Sequence, residues 1–486
     1  MLSMTILVLT FLTTLVLIRT LIPVSIKWGL VDIASGHKTH KHDTPLVGGI
    51  AMFLGLVFSC YLMLALDAGY VNAPLVLGTA MLAFIGLIDD KHQLSVKVRF
   101  IVQIIAAYTV ATWGGATLTD MGYLFSSSEL FVLGAFAIPV TVFAIVGVIN
   151  AMNMTDGVDG LAGMLALSSF TLIGIATFVA GLEQHSLTLF CITATIAGFL
   201  MFNLRTFGRK HAKIFMGDTG STVLGLIMAS FLISLSQGEE RAISPVTALW
   251  IFAIPLFDTI TVMLRRIWMG ASPFHPDRTH LHHLFANAGF TVNQTVGTLA
   301  ALQFILGSIG LACFYAGVAE SLMFACFIMI CVTMFSILLT PSQAIERLSV
   351  MKHALYGEET RPRNVFVGNL SIENPLEDLA KLLGECAQTY SYKLYKQQNT
   401  HKNTEICYCV ITTDGALEAK LLIETLANAY IGDRKIDVRP YFDRSSPSKR
   451  QNIRVAATNY AKQLGERRSV RNALVYCSDR DRTLIV

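Results

Sequence analysis

Charge is scarce in this sequence: 14% of its 486 residues are Asp, Glu, Lys or Arg, against 53% that are hydrophobic. A soluble domain carries about a quarter of its residues as charges. A wholly water-soluble chain is therefore excluded, and lipid is the working solvent for much of it. Thiol chemistry is thin as well. The nine cysteines contain no repeated ligand-spaced pair, which argues against a disulfide framework or a zinc ribbon. Cys407-Tyr408-Cys409 is too tight for a zinc knuckle and reads as an alternating strand. The first apolar stretch lacks a basic leader and a small-residue cleavage site, and its only arginine, Arg19, lies at the far end. A retained anchor is expected there rather than a secretory signal.

The scarcity of charge is uneven. Up to about Thr340 the chain is a series of apolar blocks, and from Pro341 onward it has the charge density of a soluble domain. Read at roughly 20 residues per span, the blocks predict about eleven transmembrane helices. They lie near 3–23, 46–66, 72–88, 97–113, 130–149, 160–180, 186–204, 219–236, 245–264, 295–316 and 320–340. Loops after the odd-numbered spans hold Lys27, Lys38, Lys41, Lys91, Lys97, Arg99, Arg205, Arg209, Lys210, Lys213, Arg265, Arg266 and Arg278, while those after the even-numbered spans hold Arg241 alone. The positive-inside rule then puts the N-terminus outside and the odd loops and the tail in the cytoplasm.

Every acidic or histidine-rich motif falls in one of those odd loops. The first runs from Asp32 through His37, Lys38, His40 and Pro45 to Gly48-Gly49. Lys38 and His40 suit a phosphate or pyrophosphate, positive-inside anchoring being the alternative, and the glycines would let backbone approach a ligand. The second holds Asp89-Asp90, adjacent like charges that want a cation, and Mg²⁺ takes one or two carboxylates plus substrate phosphates. A solvated loop is the plainer account. The third places Asn153, Asp156 and Asp159 at spacings of three, on one helical face or turn. The fourth, Met216-Gly-Asp218-Thr-Gly-Ser221, opens a helix with small residues and an acid, which suits a metal-phosphate site. The fifth carries Arg278, His280, His282 and His283. Zinc is the weaker reading of that run and phosphate contact the stronger.

Taken together and in this order, the five loops resemble those of the polyprenyl-phosphate N-acetylhexosamine-1-phosphate transferases, glycosyltransferase family 4, over about residues 1–340. The resemblance rests on Asp32, Lys38, His40, Pro45, Gly48 and Gly49; on Asp89 and Asp90; on the Asn153 to Gly160 block; and on Met216 to Ser221. The Asp277-Arg278-Thr-His280-Leu-His282-His283 loop is similar to the N-acetylglucosamine branch. His37 stands where the family usually has Arg, and Ala34 and Asp43 replace prolines.

The resemblance implies a Mg²⁺-dependent enzyme, with Mn²⁺ as a substitute, in a bacterial inner membrane. It would transfer N-acetylglucosamine 1-phosphate from UDP-N-acetylglucosamine to undecaprenyl phosphate and release UMP. Asp218, Asp89 and Asp90 are the implied metal ligands, and Asp89, Asp90, Asp156 and Asp159 the catalytic set. Lys38, His40, Asn153, Arg278, His280, His282 and His283 are the implied substrate contacts. Other UDP-N-acetylhexosamines, UDP-MurNAc-pentapeptide and a catalytically silent membrane adaptor are the alternatives, and a homodimer is left open. A transporter would place charge at the bilayer midplane and often show inverted repeats, neither of which is evident.

The tail carries a second signal. Asn364 to Leu370 reads as the first strand of an RNA-recognition motif (RRM), followed by helix near 376–386, strands near 391–396 and 406–412, helix near 416–428 and strand Lys435 to Val438. This βαββαβ order predicts a small α/β, ferredoxin-like domain over 363–440, after a linker at 341–362 and before a basic extension at 441–486. Phe366 and Tyr408 are its candidate RNA-stacking residues. RNA, the anionic inner leaflet, a protein partner or no separate ligand all remain open for it.

Overall fold

The structure, a computed structural model, describes residues 1–32, 44–125, 128–206, 208–209, 211–238, 241–272, 279–356, 364–370, 378, 383, 391–399, 404–412, 422–423, 426, 430–431, 434–441 and 482–485. They divide into two compact units, Met1–His283 with Thr291–Thr340, and Leu284–Phe290 with Pro341–Val486.

The first unit is helical. It begins with α1 (Leu2–Trp28), a short antiparallel ribbon of β1 (Val31–Asp32) and β2 (Thr44–Pro45), then α2 (Gly48–Ala65), α3 (Ala73–His92), α4 (Val96–Thr112), α5 (Ala137–Thr155), α6 (Leu161–Val179) and α7 (Glu183–Asn203). It continues with α8 (Gly217–Ser234), α9 (Pro245–Ile251), α10 (Ala253–Trp268), the start of α11 (Leu281–Asn287), α12 (Val292–Tyr315) and α13 (Glu320–Leu338). Among the described residues nine helices are long and apolar enough to cross a membrane, or ten if the bent pair α9 and α10 is one span. The protein is thus a multi-pass membrane protein. The remaining expected span corresponds to α4, a helix of 17 residues that carries Lys97 and Arg99 in its first turn.

Helix α8 is the hub: it packs against α2, α3 and α5, and 83% of its apolar window is buried. Between helices in lipid there is little hydrophobic drive, so close backbone approach through small residues does the packing. A Cβ on Gly86 of α3 would lie 2.5 Å from Thr219 Cα, and one on Gly225 of α8 would lie 2.6 Å from Ile149 Cα. The first-loop glycines follow the same rule. Gly48 and Gly49 donate their N–H groups to the carbonyls of Phe215 and Met216, each at 2.9 Å, so the backbone they approach is that of the fourth motif loop.

The bend between α9 and α10 is 87° and has a sequence cause. Pro255 lacks the N–H that would reach the carbonyl of Ile251 four residues back. Ser169 Oγ donates to that carbonyl at 2.8 Å, and Gln303 Nε2 donates to it as well. Gln303 Oε1 also accepts the freed Ile254 N–H at 2.8 Å. Gln303 is fully buried, and the break is satisfied by neighbouring helices, as irregular backbone at membrane depth must be.

The second unit contains the rest of α11, α14 (Pro341–Tyr356) and the strands β3 (Asn364–Leu370), β4 (Ser391–Asn399), β5 (Thr404–Thr412), β6 (Tyr430–Ile431), β7 (Arg434–Lys435), β8 (Asp437–Tyr441) and β9 (Arg482–Ile485). Most of the expected linker at 341–362 is therefore helix, begun by Pro341 at a first-turn position that tolerates it. The five-stranded sheet has the order β8-β3-β5-β4-β9, antiparallel throughout. Strand β9 comes from the segment read as a basic extension and pairs with β4, Leu394 opposite Ile485. One face buries Val365, Val367, Cys407, Cys409 and Ile411 together with Leu383, Leu422 and Leu426. Of the two expected tail helices, residues 378, 383, 422, 423 and 426 are described, and all are helical.

Candidate active site

The double aspartate closes α3, and its two side chains point to different partners. Asp89, buried at 5% exposure, accepts the Leu94 N–H on Oδ1 at 2.6 Å and Arg99 Nη1 on Oδ2 at 3.0 Å. Asp90 turns to the start of α8. Its Oδ1 accepts the Asp218 N–H at 2.7 Å, and its Oδ2 accepts Thr219 Oγ1 at 2.7 Å and Thr219 N–H at 3.3 Å. It thus supplies from another helix the cap that the free N–H groups of α8 require. The glycine before Asp218 is fixed by this contact: Gly217 has φ +71°, and a Cβ there would lie 2.6 Å from Asp90 Oδ2.

Asp218 joins the second, third and fourth motifs. Its Oδ2 accepts Arg99 Nη1 at 3.1 Å, and its Oδ1 accepts Asn153 Nδ2 at 2.7 Å. Asn153 also donates to Ser221 Oγ at 3.0 Å. The Asp89 and Asp218 carboxylates therefore flank one positive point, Arg99 Nη1. They line a cleft whose other walls include Leu82, Phe100, Gln103 and Asn150.

The other two acids of the third motif part company. Asp159 Oδ2 accepts Arg205 Nε at 2.7 Å and the Ala212 N–H at 3.2 Å, so it ties the loop after α7 to the start of α6. Asp156 makes no side-chain hydrogen bond or ion pair among the described residues. Exclusion of solvent, and then the negative charges of Asp218, Asp90 and Asp159, hold its carboxyl well above the usual carboxylate range.

The histidines form a second cluster. His280 Nδ1 lies 2.9 Å from Asp258 Oδ2, and Asp258 Oδ1 accepts the Leu281 N–H at 2.8 Å. Arg266 Nη2, on the same helix as Asp258, lies 3.4 Å from His280 Nε2. An Nδ1–H shared with the carboxylate leaves Nε2 as the acceptor facing Arg266, which fixes the tautomer. His282 stacks on His280 with ring centroids 5.8 Å apart, and His283 lies 4.2 Å from His282. Burial, and then the neighbouring His283, push the His282 imidazole down to about 3, so it is neutral at ordinary pH. A Cβ on Gly157 would lie 2.6 Å from His282 Nε2, which brings the histidine loop against the third motif.

Motifs two to five thus meet at one end of the bundle. Lys38, His40 and Arg278 lie outside the described residues. Sequence reasoning counted Arg99 only for topology and missed Asp258 altogether. Asp258 is a lone carboxylate in an apolar run, Ile254-Pro-Leu-Phe-Asp258-Thr-Ile, and an intramembrane acid of this kind is itself a functional signal.

Among the described residues no three His, Cys, Asp or Glu side chains gather as a metal cage. Mg²⁺ needs none, since it takes one or two carboxylates plus substrate phosphates and water. Asp89 and Asp218, flanking one cationic position, fit that donor set. Asp90 is held by α8 and does not share the Arg99 cation that lies between Asp89 and Asp218, so it fits less well.

A helical membrane bundle that gathers acids, amides and histidines from separate loops at one end defines a class, the polytopic membrane enzymes. The family model for glycosyl transferase family 4 matches residues 72–236, from the turn before α3 to the end of α8. The chain is 41% identical over 291 residues to an undecaprenyl-phosphate alpha-N-acetylglucosaminyl 1-phosphate transferase of Escherichia coli (strain K12), covering 60% of this chain and 78% of that protein. Proteins of the same name from Yersinia pestis and Haemophilus influenzae are 42% and 36% identical, over 78% and 84% of their lengths. The chain belongs to glycosyl transferase family 4.

Proposed function

We propose that the protein transfers N-acetylglucosamine 1-phosphate from UDP-N-acetylglucosamine to undecaprenyl phosphate, giving undecaprenyl-diphospho-N-acetylglucosamine and UMP. The observation that carries this reading is the Asp89, Arg99, Asp218 and Asn153 cluster, set at the end of a membrane bundle whose relatives bear that enzyme's name. An oxygen of the lipid phosphate attacks the β-phosphorus of the donor, the bond to the bridging oxygen breaks, and that oxygen leaves with UMP. A lipid phosphate has a second pKa near 6, so it needs little help from a base at neutral pH.

Asp89 and Asp218 would hold Mg²⁺, which neutralises charge on the pyrophosphate when bound. Arg99, which now lies between the two carboxylates, would then be free to meet phosphate oxygens. Asn153 orients Asp218, and Asp90 fixes the start of α8 on which Asp218 stands. The neutral His282 supplies a hydrogen bond to the sugar or pyrophosphate without adding charge, and His280, whose ring nitrogens face Asp258 and Arg266, positions it. Placement of this end in the cytoplasm rests on the loop charges, and the bacterial inner membrane on the family resemblance.

The tail unit we read as RRM-like. The sheet order β8-β3-β5-β4 and helical residues between the expected strands support this. Phe366 and Tyr408 share the face opposite the core, ring centroids 5.0 Å apart. Tyr408 is only 6% exposed, so stacking on RNA bases requires this pair to be uncovered first.

The enzymatic reading is tested by UMP release from UDP-N-acetylglucosamine with undecaprenyl phosphate, with and without Mg²⁺. Asp218→Asn is expected to lower the rate by about a hundred-fold or more. Release that is independent of lipid, or unchanged in the variant, refutes it.

A further inference from the structure

The cleft beside Asp218 extends past the charged cluster to a pair of amides in the body of the bundle. Gln103 stands four residues after Arg99 on α4, and Asn150 stands three before Asn153 on α5. Each pair lies on one helix face, so the amides form a second rung about 4.5–6 Å deeper than the first. Asn150 Nδ2 donates to Gln103 Oε1 at 2.8 Å and to the Val146 carbonyl at 2.8 Å. A backbone carbonyl can only accept, so the Val146 contact fixes which way Asn150 faces. Gln103 must in turn present its oxygen to Asn150 and its NH₂ elsewhere. That NH₂ lines the cleft and has no acceptor among the described residues, although Gln103 is only 5% exposed.

The NH₂ opens on the cleft, so a ligand there can accept the hydrogen bond that no described protein group takes. The ligand must offer an acceptor, since the Gln103 oxygen is already engaged. It must also tolerate apolar walls, because Leu82, Ile85 and Phe100 line the same cleft. Such walls suit a prenyl phosphate, which has both an anionic head and an apolar chain. An amide also meets an anion at this depth at lower cost than a lysine would.

We propose that Gln103, oriented by Asn150, donates to a non-bridging oxygen of the acceptor lipid's phosphate and holds it one helical turn below the Asp89 and Asp218 carboxylates. This deepens the transferase reading and rests on it for the identity of the lipid. Gln103 contributes position and affinity for the acceptor, and the sugar nucleotide is bound without it.

The test is binding of undecaprenyl phosphate and of the alcohol undecaprenol to the purified full chain in detergent, without sugar nucleotide, followed by KM values for both substrates. Wild type is expected to bind the phosphate more tightly than the alcohol. Gln103→Leu should weaken the phosphate about ten-fold or more, leave the alcohol unchanged, and raise the KM for the lipid but not for UDP-N-acetylglucosamine. Gln103→Glu keeps the size of the side chain but turns the donor toward repulsion, and should weaken the phosphate further. Equal weakening of phosphate and alcohol, or no weakening of either, overturns the proposal. A Gln103-dependent preference for the phosphate in a protein that transfers no sugar phosphate would uphold this site and refute the transferase reading.

Discussion

Asp258, in the first half of α10, holds His280 of the fifth motif loop through a 2.9 Å contact to Nδ1 and also accepts the N–H of the following residue. One carboxylate thereby sets both the ring and the backbone that carries the next two histidines. Asp258→Asn keeps the shape but can place an NH₂ against Nδ1, which would turn the tautomer so that Nε2–H faces Arg266. UMP release should fall by about 10- to 100-fold, the usual cost of losing a residue that orients an active-site imidazole. A rate within two-fold of wild type would separate His280 from the chemistry.

The break after α9 depends on Gln303. Replacing it with Leu leaves the Ile254 N–H without its acceptor and the Ile251 carbonyl with Ser169 alone. A buried group so abandoned costs about 1–3 kcal/mol. The thermal midpoint of Gln303→Leu in detergent should drop, and Gln303→Glu, which keeps an acceptor for Ile254, should drop less. Equal midpoints for wild type and Gln303→Leu would show that the break is held by other means.

Asp156 is expected to trade stability for function. Its carboxyl is raised in the folded protein, so the stability tied to its protonated form is present below the ordinary Asp value and lost as pH rises through the raised one. Asp156→Asn removes that loss. The metal-free variant should melt higher than wild type at neutral pH while transferring sugar phosphate more slowly. A lower melting point would mean that the Asp156 carboxylate is stabilised in the fold.

His282 carries the opposite sign. Its pKa is depressed to about 3, so the stability of the neutral ring is present above the ordinary histidine value and is lost as pH falls from there toward 3. The slope contributed approaches about 1.4 kcal/mol per pH unit. Melting curves between pH 6.5 and 4 should be flatter for His282→Gln than for wild type, and identical slopes would contradict the burial of that ring.

The parts of this protein legible in its sequence are those governed by local pattern. Apolar blocks located the helices, and the strand alternation around Tyr408 placed Phe366 and Tyr408 on one face of the tail sheet. Spacing also brought Asn153, Asp156 and Asp159 to one turn, but not their separate uses. Asp159 found Arg205, 46 residues away in the chain, and Asp90 found the start of α8, 128 residues away. Partners at such separations are chosen by helix packing, which leaves no periodic trace. Arg99 was hidden for a different reason, since a basic residue at a span edge has a sufficient explanation in topology alone. The break at Phe252 could have been foreseen from Pro255, but not that a glutamine from α12 would complete it.

Transfer of a sugar phosphate to the lipid is read from the mass of the lipid product. Purified protein incubated with undecaprenyl phosphate, UDP-N-acetylglucosamine and Mg²⁺ should convert the lipid to a species heavier by one N-acetylhexosamine and one phosphate, and Asp218→Asn should leave it unconverted. An unchanged lipid mass with wild type, from protein that is folded and binds both substrates, would mean that the protein is not this transferase.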